Sequence, residues 1–268
     1  ILMRGFVKAG DEVIVSTPTF ISAYQKTTIL QGAHIVDVPL QADTFDYDVD
    51  GVIAAITPRT RLILLCNPNN PTGTIVTASQ FDDLMQRVPA HVLVVSDEVY
   101  HHYVHRDDYP DALQYVLDGK NLVLTYSFSK AYGLAGIRLG TCFSSKEIIA
   151  VLNKIKPPYN INTLTQNAAI DALQTNEVFG QVSLIINERE KLSSALESCF
   201  FVEKVFLSSA NFILIKVDDA NKRYNELIKY GFVVRNRTTQ SGCENCLRIS
   251  IGTPEENIQL LTLLNTFK

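Results

Sequence analysis

The sequence predicts an α/β fold: a large unit built on a mostly parallel sheet flanked by helices, followed by a smaller C-terminal α+β unit. Three observations lead there. Short apolar runs alternate with amphipathic stretches through the first two-thirds of the chain. Several runs, such as Arg61–Cys66 (RLILLC) and His91–Asp97 (HVLVVSD), are apolar at consecutive positions, as in strands covered on both faces. In the last third the strand signals thin out and a long helical pattern takes over, which marks a unit of different construction.

Taken in order, Ile1–Gly10 reads as the last turns of a helix stopped by Gly10. It has no initiator methionine and no visible start, so the expectation is that an N-terminal segment is missing. Strands are expected at Val13–Ser16, His34–Val38, Leu62–Cys66, Val92–Ser96, Leu122–Tyr126 and Leu139–Phe143, with helical patterns between them such as Ser79–Arg87. Pro157 and Pro158 interrupt helix near the boundary between the two units, set at 1–172 and 173–268. Beyond it, Val182, Ile185, Ile186, Leu192, Leu196 and Cys199 share one face of a long helix over Val182–Cys199. A strand at Phe212–Val217, a helix at Ala220–Tyr230, a strand at Leu247–Ile251 and a helix from Pro254 complete the pattern.

Composition narrows the function classes. The 268 residues are 46% hydrophobic and 19% charged, enough for one large or two smaller cores. The net charge is −4 with no basic block, which argues against nucleic acid as a partner. No apolar run approaches the roughly 18 residues of a membrane span, and no signal-peptide pattern opens the chain. The five scattered cysteines read as reduced thiols of a cytoplasmic protein. Cys243 and Cys246 have redox or zinc spacing but no second pair, so the expectation is a structural role and no metal. His101, His102 and His105 are read as a solvated loop, and Asn187–Glu190 (NERE) as the polar face of a helix.

Four signals sit at the ends of expected strands, where ligands bind in parallel sheets. After Cys66 comes Asn67–Gly73 (NPNNPTG), a rigid turn from which the Asn70 amide projects a donor. Asp97, within SDEVY, follows four apolar residues; a carboxylate there needs a cationic or donor partner, and Tyr100 adds a phenol nearby. In Thr125–Gly140 (TYSFSKAYGLAGIRLG), Lys130 lies among the hydroxyls of Ser127 and Ser129, glycines that permit close approach, and the phosphate-suited fork of Arg138. Arg235 and Arg248 complete the set, Arg248 inside the strand-like LRISIG, where it calls for an anion. Each has a plainer reading alone: a turn, a helix cap, an exposed lysine, an internal salt bridge. Together, an imine-forming lysine, an acid for a pyridine nitrogen and a phosphate cradle describe a pyridoxal 5'-phosphate site.

In this order the motifs NPNNPTG, SDEVY, SFSKAYGLAGIRLG and LRISIG resemble those of the fold-type I aminotransferases, most closely the histidinol-phosphate aminotransferases, over essentially the whole chain. The resemblance implies a homodimer that moves an amino group between L-histidinol phosphate and 2-oxoglutarate in histidine biosynthesis. It implies that Lys130 carries the cofactor and shuttles the proton, that Asp97 pairs with the pyridine nitrogen, and that Tyr100 and Asn70 donate to the ring hydroxyl. Ser127, Ser129 and Arg138 match the phosphate cradle, and Phe20 the aromatic stacked on the ring, where the family more often has Tyr. Arg248 matches the arginine that holds the carboxylate of glutamate; with Arg235 it would grip a substrate phosphate. Tyr159 and Asn162 fall where the family lines its substrate pocket. The family's glycine-rich segment ahead of the first helix, and an earlier tyrosine that serves the neighbouring subunit, have no counterpart here. Alternatives on the same fold are an aromatic or other aminotransferase and a decarboxylase of a phosphorylated amino acid; from another class comes the non-catalytic effector domain of a transcriptional regulator.

Overall fold

The computed structural model of the chain describes residues 1–267. Six strands form the first sheet: β1 (Glu12–Val15), β2 (His34–Asp37), β3 (Thr60–Cys66), β4 (Leu93–Asp97), β5 (Leu122–Ser127) and β6 (Gly140–Phe143). Their spatial order is β2-β1-β3-β4-β5-β6, parallel throughout except that β6 runs antiparallel to β5. The helices of this region are α1 (Leu2–Phe6), α2 (Ile21–Leu30), α3 (Val49–Ala54), α4 (Ala78–Arg87), α5 (Ala112–Leu117), α6 (Lys146–Ile155) and α7 (Thr163–Leu173).

The consecutive apolar runs have the expected cause: both faces of the sheet are covered. Ile63, Leu65, Val94, Leu122 and Leu124 pack with Phe81, Leu84 and Met85 of α4 on one side. Leu62, Leu64, Leu93, Val95 and Val123 pack on the other, against Leu2, Met3, Phe6 and Ile148. Because side chains alternate along a strand, neighbours in sequence serve opposite cores. The start of α4 is set by Thr77, whose hydroxyl accepts from the Gln80 N–H while the Gln80 side chain accepts from the Thr77 N–H.

The second sheet has the order β7-β8-β10-β9, all antiparallel, from β7 (Val202–Val205), β8 (Phe212–Val217), β9 (Arg235–Asn236) and β10 (Cys246–Ser250). Against it pack α8 (Glu177–Leu196), α9 (Ala220–Lys229) and α10 (Pro254–Leu264), burying Leu192, Leu196, Leu227, Leu260 and Leu264 with Ile213, Ile215 and Ile249.

Several expectations need correction. The first helix stops at Phe6, because Val7 is already extended; Gly10, at φ +84°, makes a later turn into β1. Helix α8 begins at Glu177, ahead of Val182, since Val178 already buries with Val182 and Phe212. Asn187–Glu190 is not a uniformly polar face: Glu188 and Arg189 are buried. Arg189 Nη1 donates to the carbonyls of Tyr103 and Ala210 at 3.0 and 2.9 Å, and Asn257 Nδ2 donates to Glu188 Oε2 at 3.0 Å. His101 and His102 are packed rather than solvated, their rings 3.8 Å apart, with His101 Nδ1 2.7 Å from the Glu98 carbonyl. Cys243 and Cys246 need no correction as structural residues: they are buried free thiols beside Phe45, Phe206 and Leu214. Among the described residues no helix is long and apolar enough to cross a membrane.

Candidate active site

The ends of β3, β4 and β5 and the hairpin of β9 and β10 open onto one cavity of about 660 Å³. Ten of the twelve residues singled out in the sequence line it. Phe20, Asn70, Asp97, Tyr100 and Ser127 are joined there by Ser129, Lys130, Arg138, Arg235 and Arg248.

Strand β4 delivers Asp97 as its last residue. The Tyr24 hydroxyl donates to Oδ2 at 2.9 Å and the Thr125 hydroxyl to Oδ1 at 3.3 Å. Burial pushes the carboxyl pKa above its ordinary value, and those hydrogen bonds pull it back. Two fixed donors orient the group while leaving lone pairs for a cationic N–H. Tyr24 was not apparent from sequence; the available signal was its place one helical turn after Phe20, whose ring it meets edge-on at 6.1 Å.

Lys130 Nζ lies 5.5 Å from the centre of the Tyr100 ring, which packs edge-on against Phe212. Desolvation lowers the lysine pKa, and the charge of Arg248 lowers it further. Both effects enlarge the unprotonated, nucleophilic fraction of the amine. At the same end of the cavity the Ser129 N–H donates to Ser127 Oγ at 3.0 Å. Arg138 holds left-handed backbone at φ 56° after a short 3-10 turn, and its Nη1 donates to the Ala135 carbonyl at 2.7 Å. Hydroxyls, a backbone turn and a guanidinium therefore converge, as an anion site requires.

The hairpin lines the same cavity. Arg235 sits directly across from Arg248 in the β9–β10 pairing. Arg248 Nη1 donates to Asn70 Oδ1 at 2.6 Å, and its guanidinium lies 4.8 Å from the Phe212 ring centre. Its Nε is buried without a hydrogen-bond partner among the described residues. Burial, then the neighbouring Arg237, push the Arg248 pKa down to about 10. Arg237 also lines the cavity and also went unnoticed, although it stands two positions after Arg235, the spacing of one strand face.

Two expected residues are elsewhere. Tyr159 is 98% exposed and does not line the cavity. Asn162 is occupied as the N-cap of α7, where its Oδ1 accepts from the Thr165 N–H at 2.9 Å. A proline-rich connector places both at the rim of a helix start instead of in the pocket.

The sequence model of the family described as aminotransferase class I and II matches residues 1–264. The chain belongs to that family. This aminotransferase is 44% identical over 269 residues to the histidinol-phosphate aminotransferase of Flavobacterium johnsoniae, covering 99% of the chain and 75% of the relative. It is 42% identical over 267 residues to the enzyme of the same name from Flavobacterium psychrophilum, covering 98% of the chain and 75% of that protein. Among solved structures, the histidinol-phosphate aminotransferase of Sinorhizobium meliloti in complex with pyridoxal-5'-phosphate superposes with a TM-score of 0.87 at 26% identity. That match covers 99% of this aminotransferase and 73% of the other chain.

Proposed function

We propose that this aminotransferase exchanges an amino group between L-histidinol phosphate and 2-oxoglutarate, using pyridoxal 5'-phosphate. The observation that carries the reading is a single cavity lined by a lysine amine, a donor-braced carboxylate and cross-strand paired arginines. The relatives at 44% and 42% identity, both histidinol-phosphate aminotransferases, support the choice of substrate.

The residues present fit the cofactor. The orphaned Nε of Arg248 and the undischarged guanidiniums around it call for anions, while the Ser127–Ser129 turn and Arg138 offer a second anion cradle at the Lys130 end. The chemistry supplied by bound pyridoxal phosphate is that of an electron sink for charge developing at the substrate Cα. Asp97 would accept from the ring N–H, Tyr100 and Asn70 would donate to the ring hydroxyl, and Phe20 would cover one face. Asn70 is suited to donate because its Oδ1 is already engaged by Arg248, which aims its Nδ2 elsewhere. Lys130 Nζ would hold and move the proton at the substrate Cα; desolvation and then the charge of Arg248 lower its pKa, which favours the unprotonated amine that this task requires. Arg248 and Arg235 hold the anionic end of whichever substrate is bound.

In the same reading, residues 1–172 form the cofactor-binding domain and 173–268 the small domain, and the working form is a cytoplasmic homodimer. The five free cysteines suit a reducing compartment. The test uses cofactor-loaded protein and follows the cofactor's absorbance while histidinol phosphate, histidinol and phenylalanine are added separately without any keto acid. Fast spectral change with histidinol phosphate alone supports the reading. A response to phenylalanine that equals or exceeds it moves the protein to the aromatic aminotransferases.

A further inference from the structure

The hairpin that carries Arg235 and Arg248 carries a third arginine on the same face. Arg235 and Arg237 are two positions apart, so they project to one side, and Arg235 lies opposite Arg248. The Arg237 N–H donates to the Cys246 carbonyl at 2.8 Å, which carries the pairing with β10 past the end of β9. All three guanidiniums line the cavity.

Among the described residues no anionic group balances the charge of Arg237. It forms no ion pair among the described residues, and its Nε is buried without a hydrogen-bond partner. The groups that act on it electrostatically are Arg235, Arg248, Cys243 and Tyr100. The first two are cations; the other two, a thiol and a phenol with raised pKa values, are neutral at pH 7. Burial and Arg235 both disfavour the charged guanidinium. The fold holds it there regardless. Gln240 N–H donates to the Arg237 carbonyl at 2.8 Å, Cys246 N–H donates to the Cys243 carbonyl at 3.0 Å, and both thiols are buried. An arm kept in place against its own electrostatics is organised in advance for an anion.

We infer that Arg237 is a third arm of the substrate-anion site and makes it selective for a phosphate-monoester dianion over a carboxylate. A carboxylate offers a single negative charge and two oxygens, which one arginine fork satisfies. A phosphate monoester offers three terminal oxygens and nearly two charges, which three converging forks match. The inference deepens the amino-transfer reading above and rests on it. It concerns selectivity between the two substrates that share the site, not the reaction itself.

The experiment compares holoenzyme with its Arg237→Gln and Arg237→Lys variants, each checked for the cofactor's absorbance and a cooperative melt. The readout is the ratio of kcat/KM for histidinol phosphate to that for glutamate in the two half-reactions, with inorganic phosphate as a competitive inhibitor of the glutamate half-reaction. Arg237→Gln is expected to lower the ratio by about tenfold or more and to weaken phosphate inhibition by a similar factor, the scale of one lost charge-assisted hydrogen bond. Arg237→Lys should restore part of both. An unchanged ratio with unchanged phosphate inhibition overturns the inference, as does an equal loss on both substrates. If the unmodified enzyme ignores histidinol phosphate, the substrate assignment fails by itself. Phosphate inhibition then decides Arg237: relief by Arg237→Gln keeps the third arm, and no relief removes it.

Discussion

Arg248 Nη1 and Asn70 Oδ1 are joined by a 2.6 Å hydrogen bond across 178 positions of sequence. The bond ties the β9–β10 hairpin to the turn after β3, so the arginine and the amide orient each other. Asn70→Ala would leave a buried guanidinium without its only hydrogen-bonded side chain among the described residues. A hydrogen bond to a charged group is worth about 1.5–3 kcal/mol, so kcat/KM for both half-reactions should fall by roughly 10- to 100-fold. Steady-state kinetics of Asn70→Ala and Arg248→Ala, with the double variant, provides the check: losses that simply add would show that the two residues act independently.

Lys130→Ala should abolish amino transfer, because no other amine lines the cavity among the described residues. Asp97→Asn should keep cofactor bound yet cost at least about 100-fold in turnover, since the amide no longer favours a protonated ring nitrogen. Absorbance of the loaded variants separates binding from chemistry. Normal turnover by Lys130→Ala would sink the mechanism.

Arg248 also depresses the Lys130 pKa, after the larger effect of desolvation. Removing that positive charge with Arg248→Gln favours the protonated amine and moves the Lys130 titration to higher pH. The pH dependence of pyridoxal phosphate capture by apoprotein reports the midpoint. A midpoint that stays put or moves down contradicts this coupling.

Two groups outside the cavity titrate with opposite consequences. Burial pushes Glu98 up to about 7 and His102 down to about 4. The folded state therefore holds the Glu98 proton more tightly than the unfolded chain; that stability is complete below pH 4.5 and is lost as pH rises through about 7. For His102 the neutral ring is favoured, so its contribution is present above pH 6.5 and is lost as pH falls through about 4. Relative to the unmodified protein, Glu98→Gln should make the melting midpoint climb more steeply with pH between 4.5 and 6.5. His102→Gln should flatten or reverse that climb. Thermal melts across the window, read as differences from the parent, test both signs.

Gly73 closes the NPNNPTG turn at φ +78°, and an added Cβ would overlap Ser208. Its carbonyl also accepts from the Ser209 N–H at 2.8 Å. Gly73→Ala therefore combines left-handed strain with a clash against backbone-anchored atoms, and should cost about 2 kcal/mol or more. Denaturant midpoints of Gly73→Ala against Ser208→Gly/Gly73→Ala would show whether relief of the clash recovers part of the loss.

The sequence by itself determined the sheet and most of the polar residues that line the cavity. RLILLC and HVLVVSD had to be strands covered on both faces, because consecutive apolar side chains point in opposite directions along a strand. Asn70, Asp97 and Lys130 were legible because each stands just where such a run ends, and polar chemistry at that place needs a reason. The two-residue strand β9 and the edge strand β7 were too short to show a period. Only the tertiary structure decided who meets whom. Tyr24 reaches Asp97 from a helix 73 positions earlier, and Arg189 finds its carbonyl acceptors inside what reads as a polar run. Arg237 faces the cavity, while Tyr159 faces solvent. A local pattern records how a residue relates to its own strand or helix; partners brought by another segment leave no trace in it, and burial with those partners settles a polar side chain's role.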